Sequence, residues 1–259
     1  MPLLSRQLMQ AASAACGFLE KESRREIAAF ILSAQTPDGG FRGRDDQSDL
    51  YYTFFASASL RALRQPIPFF RLWKYLRSFQ TGESLDAVHL ACLIQLRSAL
   101  PMLGNTRQKF FQTLENVSAE SAYDRFLKQM AADQLRVARP QSAPPPIELS
   151  GPTPNLAACM ILNPKAASSA IPALLKRACP NGGFAATAQL SIPDLLSTAT
   201  ALFALTQAGA DLSSIRRPCL DFVESLWRDS GGFAGHESDG YEDVEYTFYG
   251  LLSIGCLTS

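Results

Sequence analysis

The sequence predicts an all-α protein built from repeated helical units. No segment shows a convincing alternation of apolar and polar residues, the motif Gly-Gly-Phe occurs three times, and an apolar helical segment follows each copy. The three copies are DGGF at Asp38–Phe41, NGGF at Asn181–Phe184 and SGGF at Ser230–Phe233. Gly182 and Gly231 lie 49 positions apart, and Gly39 precedes Gly182 by 143, close to three such steps. This period indicates an array of similar supersecondary units.

Each unit is expected to open with an amphipathic helix. Residues 1–18 contain an arginine and no compact apolar stretch, so we interpret them as a first helix and not as a signal peptide. In residues 21–35, Ile27 and Ile31 share one helical face, and Arg24 lies opposite. The same pattern recurs in residues 67–80, 171–178 and 215–227.

Each unit is expected to close with a buried helix that starts at an aspartate. Asp suits a helix N-terminus because it accepts bonds from free N–H groups and meets the positive end of the dipole. The helices are predicted in residues 48–63, 85–96, 192–205 and 241–257, with a weaker copy in 153–162, and the aspartates are Asp49, Asp86, Asp194 and Asp243. Such helices either pack into a solid centre or line an apolar cavity.

The middle of the chain is less regular. Residues 136–154 hold six prolines and cannot be helical throughout. This segment is either a linker across a degenerate unit or a flap over a cavity mouth. We treat residues 1–259 as a single domain that contains this loop.

The amino-acid composition excludes some classes of partner. The residues are 47% hydrophobic and 19% charged, which suits a folded core, and the formal net charge is zero. Neither a nucleic-acid partner nor an anionic lipid surface is expected. The six cysteines show no metal-type spacing and suit buried thiols in a reducing compartment, so we expect a cytoplasmic protein.

Two stretches carry a resemblance to a known superfamily. QTPDGGFRGRDDQSDLYYTF and DVEYTFYGLLSIG resemble segments of the prenyltransferase β subunits, which share their repeats with the squalene–hopene cyclases. The resemblance implies an α/α toroid of about five to six helix-hairpin repeats, with concentric inner and outer helices around an apolar hole. It also implies an isoprenoid diphosphate or another apolar small molecule as ligand, and leaves a helical protein partner open.

The resemblance transfers only part of the family's chemistry. Asp49 matches the zinc-binding Asp, but Tyr51 stands at the Cys position and Tyr246 at the His position. Tyrosine is a poor zinc ligand, so we expect no metal site and no zinc. Arg44 and Tyr52 match groups that hold the diphosphate. Arg44 could instead pair with Asp45, Asp46 or Asp49.

Acidic residues cluster at the first and last units, which become neighbours if the ring closes. There is no DxDD motif, but Asp49, Asp243 and Glu245 are candidate catalytic residues. Crowded carboxylates at an apolar mouth could raise one pKa or bind Mg²⁺, or they could simply cap helices. The candidate substrate-binding residues are Arg44, Tyr51, Tyr52, Phe55, Tyr246 and Tyr249. His89 is read as a core or pocket-lining residue and His236 as a loop residue.

Three functions remain open at this level. The first is an enzyme that transfers or cyclises an isoprenoid diphosphate bound in an apolar central cavity, without the usual zinc site. The second is a non-catalytic toroid that binds a lipid or a protein partner, and the third is a structural repeat with a filled centre. No cofactor is assigned, and Mg²⁺ is left open.

Overall fold

The computed structural model describes residues 4–100, 102, 104–137 and 143–259. Within this part the chain forms twelve helices and six two-residue strands. The helices are α1 (Leu4–Phe18), α2 (Lys21–Ser33), α3 (Leu50–Ala62), α4 (Phe69–Arg77), α5 (Ala87–Ser98), α6 (Thr106–Asn116), α7 (Ala122–Leu135), α8 (Thr153–Leu162), α9 (Pro164–Leu175), α10 (Leu195–Gln207), α11 (Ser213–Ser225) and α12 (Val244–Thr258). The strands are β1 (Phe41–Arg42), β2 (Ser48–Asp49), β3 (Phe184–Ala185), β4 (Pro193–Asp194), β5 (Phe233–Ala234) and β6 (Glu242–Asp243).

Six helices form a closed inner ring. In order around the ring they are α3, α5, α7, α8, α10 and α12, and α12 packs back against α3. Five of them, α3, α5, α8, α10 and α12, have apolar or small side chains nearly all round, which is typical of helices buried on every side, whereas α7 also carries charged and polar residues. The all-α class and the α/α toroid are therefore confirmed.

The outer layer contains five helices, each packed on the inner helix that follows it in the chain. These are α2, α4, α6, α9 and α11. The segment that precedes α8 has no helix in its described residues, 143–152. Its described part is held by the buried Arg177, whose guanidinium donates to the carbonyls of Leu149 and Gly151. The prediction for residues 138–142 lies outside the described residues.

The glycine turns close each unit against the next outer helix. A Cβ on Gly39 would lie 2.1 Å from the carbonyl oxygen of Arg71 in α4, and one on Gly182 would lie 1.9 Å from that of Pro218 in α11. A Cβ on Gly231 would lie 2.5 Å from the carbonyl oxygen of Glu26 in α2. The last turn thus rests on the first outer helix. Only glycine allows backbones to approach this closely at the positive φ of these positions.

A short antiparallel hairpin follows each glycine turn, and the sequence pattern does not predict it. The phenylalanine of the motif pairs with the capping aspartate, as Phe41 does with Asp49. Its buried backbone N–H donates to a threonine four residues beyond that aspartate, at 2.9 Å for Phe41 and Thr53. The other two units repeat this bond. The hairpin therefore fixes where each inner helix starts.

Helix α1 lies outside the hairpin repeat. It packs along α12 and also contacts α3 and α7. A Cβ on Gly255 of α12 would lie 1.8 Å from the carbonyl oxygen of Ala11, so the two helices meet at backbone distance. No described helix is long and apolar enough to span a membrane.

Candidate functional site

Aspartates cap four of the inner helices, and the capped ends meet at one rim of the ring. Asp49 accepts from the Tyr51 N–H at 2.6 Å and Asp86 from the His89 N–H at 2.9 Å. The other two are Asp194, which caps α10, and Asp243, which caps α12. The side chains described next connect the ends of α3, α5 and α12 to one another. The repeated cap therefore gathers carboxylates at one end of the molecule.

Arg44 joins the first unit to the last. Its Nε donates to Asp243 Oδ2 at 3.0 Å and its Nη2 to Asp239 Oδ2 at 2.6 Å. Its guanidinium also lies 5.6 Å from the centre of the Tyr246 ring. Asp243 is almost fully buried, and burial raises its pKa although the Tyr246 N–H and Arg44 stabilise the ionised form. Arg44 thus pairs with the last unit and not with the neighbouring carboxylates in its own loop.

His89 joins α5 to α3. Its Nε2 lies 3.0 Å from Asp49 Oδ2, and its Nδ1 lies 2.8 Å from Asp86 Oδ2. The hydrogen bonds to Asp49 and Asp86 raise the pKa of His89 to about 9 against the effect of burial, so both ring nitrogens donate at neutral pH. Burial opposes ionisation of Asp49, yet the bonds from His89 and Tyr51 N–H leave its pKa lowered. Asp49 is therefore an ionised partner of an imidazolium.

Glu245 is a carboxyl group that retains part of its proton at neutral pH. It lies in the first turn of α12 and accepts a 2.5 Å hydrogen bond from the Tyr51 hydroxyl. Burial raises the pKa of Glu245 to about 7, because the effect of burial is larger than the stabilisation of the carboxylate by the Tyr51 hydroxyl. Burial also raises the pKa of Tyr51, so its phenol stays protonated and available as a donor. Two further tyrosines, Tyr123 and Tyr249, lie near Tyr51 and Glu245, and their own hydroxyl oxygens are 3.5 Å apart.

Aromatic rings fill most of the centre below Glu245. Phe55 lies 4.8 Å from Tyr51, 5.3 Å from Tyr249 and 5.4 Å from Phe248, measured between ring centres. The remaining central space has a volume of about 50 Å³. That is room for about three or four water molecules. The centre of the ring is thus apolar and aromatic, with only a small empty space.

The rim brings the predicted site residues together. Tyr51 contacts Glu245, Arg44 contacts Asp243, and Tyr249 and Phe55 face the central space. Tyr246 lies beside Arg44, and the Tyr52 ring packs against Gly43. Their catalytic and binding roles remain predictions.

Two residues of the site have positions that the sequence does not predict. The sequence places His89 in the core or a pocket wall, whereas its ring binds two capping aspartates. Its position three residues after Asp86 is the available signal, because that spacing puts both side chains on one helical face. Tyr123 is not singled out by the sequence because α7 shows neither the glycine turn nor the leading aspartate.

The residues at the family's zinc positions do not fit a zinc ion. Asp49 is bound by His89, the Tyr51 hydroxyl donates to Glu245, and Tyr246 lies beside Arg44. Across the described ranges, no group of three or more His, Cys, Asp or Glu side chains is placed to hold a metal ion.

The comparisons with known proteins agree with the fold. The family model of the prenyltransferase alpha-alpha toroid domain matches residues 3–118 and 155–258. A search of curated proteins finds no significant match.

Solved structures of the type II terpene cyclase MstE from Scytonema are similar in arrangement. An apo variant has 12% identity and a TM-score of 0.42, covering 97% of this chain and 85% of that chain. A second variant, in complex with geranylgeranyl dihydroxybenzoate as substrate, has 12% identity and a TM-score of 0.41, covering 97% and 86%. The apo enzyme without substitution has 13% identity and a TM-score of 0.40, with the same two coverages.

Proposed function

Because the chain belongs to the prenyltransferase alpha-alpha toroid family, we propose that it is an enzyme that protonates an isoprenoid chain at the centre of its ring. Glu245 is the proposed general acid. The observation that carries this proposal is the position of Glu245, which has a pKa of about 7 and accepts a hydrogen bond from Tyr51. It lies one helical turn before Tyr249, a residue that lines the aromatic centre. A carboxylic acid that is half protonated near pH 7 matches the requirement for general acid catalysis.

The proposed step moves one proton. The O–H bond of Glu245 breaks, a C–H bond forms on one carbon of an alkene, and the neighbouring carbon becomes cationic. The Tyr51 hydroxyl, 2.5 Å from the carboxyl, stabilises the carboxylate that remains. The rings of Phe55, Phe248 and Tyr249 stabilise the carbocation through their negative faces. Loss of a proton from the product cation to Glu245 restores the acid.

The charges at the rim favour an uncharged isoprenoid over a diphosphate. Arg44, the residue that matches a diphosphate-binding arginine, is already bound to Asp239 and Asp243. His89 is bound to two further aspartates. A diphosphate would have to displace these carboxylates and would meet their negative field. The mouth of the ring is thus better suited to a neutral ligand.

The small central space supports a second candidate, a non-catalytic toroid. Ligand pockets usually enclose about 300–1,000 Å³, whereas the space here is about 50 Å³. An isoprenoid therefore enters only if rings such as Phe55 and Phe248 move apart. If they do not, the ring is a scaffold for a protein partner, and the helical partner implied by the family remains a prediction.

The test is proton incorporation in D₂O. The purified protein is incubated with geranylgeraniol, an uncharged isoprenoid alcohol, and the extract is analysed by mass spectrometry. We expect an isomer that carries one deuterium on carbon, and we expect it to disappear with Glu245→Gln. Glu237→Gln, which removes an exposed carboxylate from the adjacent loop, is the matched control and should keep the activity.

One result would count against Glu245 as the acid, and another against the enzyme. Deuterium incorporation that survives in Glu245→Gln would remove Glu245 from the mechanism. If the wild-type protein incorporates no deuterium and an organic extract of freshly purified protein contains no isoprenoid, the non-catalytic scaffold is supported instead.

A further inference from the structure

A large groove lies at the end of the ring opposite the acidic rim. It runs between α1 and the C-terminal halves of α3 and α5, with α4 and α7 completing its walls, and its volume is about 920 Å³. Its floor is apolar, formed by residues that include Leu8, Met9, Ile67, Leu72, Leu96 and Leu100. The groove is therefore much larger than the central space and is of a size that holds a ligand.

The charge of the groove is entirely positive. Arg6, Arg61 and Arg64 line it, and no Asp or Glu is among its lining residues. Within the part of the chain that the structure describes, none of these three arginines pairs with a carboxylate. Three guanidinium groups without counter-charges produce a field that attracts an anion.

Two buried polar groups in the groove lack a partner. Gln95 Nε2 and Ser57 Oγ are both inaccessible to solvent, and neither has a hydrogen-bond partner among the described residues. Both residues are more than nine-tenths buried, and both line the groove. Leaving such a group unpaired costs about 1–3 kcal/mol, so a ligand toward which the Gln95 amide could turn and donate would recover part of that cost.

The groove is separated from the centre of the ring by a few side chains. Leu8, Phe54 and Met130 line both the groove and the central space. The carboxylates and tyrosines of the rim are absent from the groove. A ligand in the groove would therefore bind independently of Glu245.

We propose that this groove is a binding site for an anionic amphiphile, an aliphatic chain that ends in a carboxylate or a phosphate. The chain lies along the apolar floor between α1 and α5, and the head group is held by Arg6, Arg61 and Arg64. An oxygen of the ligand accepts from Gln95 Nε2 once the amide turns toward the groove. The proposal does not depend on the proposed function, because its site shares no polar residue with the rim.

The test compares ligands with the same chain and different head groups. Decanoate, decyl phosphate and decanol are titrated by calorimetry below their aggregation concentrations. We expect decanoate and decyl phosphate to bind at one site and about tenfold or more tighter than decanol, because each charge-assisted contact contributes about 1.5–3 kcal/mol. No saturable binding of either anion would overturn the proposal.

Matched variants locate the site. Arg61→Gln with Arg64→Gln should weaken decanoate binding by about tenfold or more and leave decanol binding unchanged. Arg107→Gln, an exposed arginine of α6 outside the groove, should change neither. An equal loss for decanol, or the same loss with Arg107→Gln, would contradict the assignment of the head-group site. Circular dichroism confirms that each variant is folded.

Two further measurements distinguish the groove from the rim and from a lipid surface. Glu245→Gln should bind decanoate as the wild type does, and a parallel loss would place the ligand at the rim instead. Sedimentation with vesicles of phosphatidylcholine and phosphatidylglycerol distinguishes a free ligand from a lipid surface. Binding to anionic vesicles without saturable binding of monomeric decanoate would overturn the groove in favour of a surface patch.

Discussion

Replacing Glu245 by Gln should stabilise the protein at neutral pH. The wild-type protein loses stability there because the buried carboxyl of Glu245 resists ionisation. The carboxyl of Glu245 titrates near pH 4.5 when it is exposed and near pH 7 in the folded state, because it is buried. Between these values the unfolded chain has released the proton and the folded chain still holds it. The unfolded state then binds fewer protons, so stability falls as the pH rises through this window.

The expected magnitude follows from the pKa difference. Each pKa unit corresponds to about 1.4 kcal/mol, which gives an upper limit of about 3 kcal/mol for this carboxyl. Glutamine does not ionise, and its carbonyl oxygen can still accept the bond that Tyr51 donates to Glu245. The free energy of unfolding of Glu245→Gln should therefore match that of the wild type near pH 4.5 and exceed it by up to about 3 kcal/mol above pH 7.

Urea unfolding followed by circular dichroism at several pH values between 4.5 and 8 measures this difference. Glu237→Gln controls for the loss of one negative charge from the same end of the ring. A stability difference between Glu245→Gln and the wild type that is constant with pH, or that shrinks as the pH rises, would refute the reasoning. It would mean that the native carboxyl of Glu245 ionises as an exposed one does.

Three further predictions concern the contacts that close the ring. Arg44→Gln should lower the free energy of unfolding by about 1–2 kcal/mol, because it leaves the carboxylate of Asp243 buried and unpaired while the exposed guanidinium is screened by solvent. His89→Gln should cost about 1–2 kcal/mol below pH 6.5, and this cost should vanish as the pH rises through about 9, where the native imidazolium loses its proton. Gly255→Ala should cost at least about 2 kcal/mol because its methyl group would overlap the backbone of α1. All three are measured by urea unfolding, the second as a function of pH, and Gly240→Ala, which meets no atom within 4 Å, is the control for the third.

Each of these predictions has a result that would contradict it. For the arginine, the double variant Arg44→Gln with Asp243→Asn should be less destabilised than the sum of the two single variants, and simple additivity would show that the pair is not coupled. For His89→Gln, a loss of stability that grows above pH 9 would contradict the proposal that the protonated imidazolium provides the stabilisation. For the glycine, an unchanged midpoint of unfolding would show that α1 is not packed at backbone distance on α12.

The repeated part of the fold could be predicted from sequence because its signals are local. A turn that needs positive φ close to a neighbouring backbone requires glycine, as at Gly182, so the motif can be recognised in the sequence. A capping aspartate such as Asp194 likewise indicates where an inner helix starts. Helices α6 and α7 carry neither signal, and α7 is capped by Ser121 with Asp124 in a capping box. Neither helix could be assigned to its layer from the sequence, because the positions of both depend on contacts with distant helices.

The site could be predicted only as far as its rim. The repeat indicated that the first and last units meet, and this brought Glu245 within reach of Tyr51. The sequence could not reveal that Arg44 reaches Asp243, because that contact depends on how the ring closes across 199 positions. Nor could it show how far the aromatic rings fill the centre, since packing density depends on the volumes of side chains from all six inner helices.

Duplication of a helical hairpin would place acidic residues at one end of such a ring even without selection for a catalytic reaction. A capping aspartate such as Asp49 or Asp194 arrives with each copied hairpin, and losing it costs about 1 kcal/mol, so even an inactive descendant would retain it. Glu245 caps no helix, and because it is buried its ionisation costs stability at neutral pH. Among descendants of this ring, persistence of the glutamate together with the tyrosine that donates to it would therefore distinguish selection for the proposed reaction from selection for the fold.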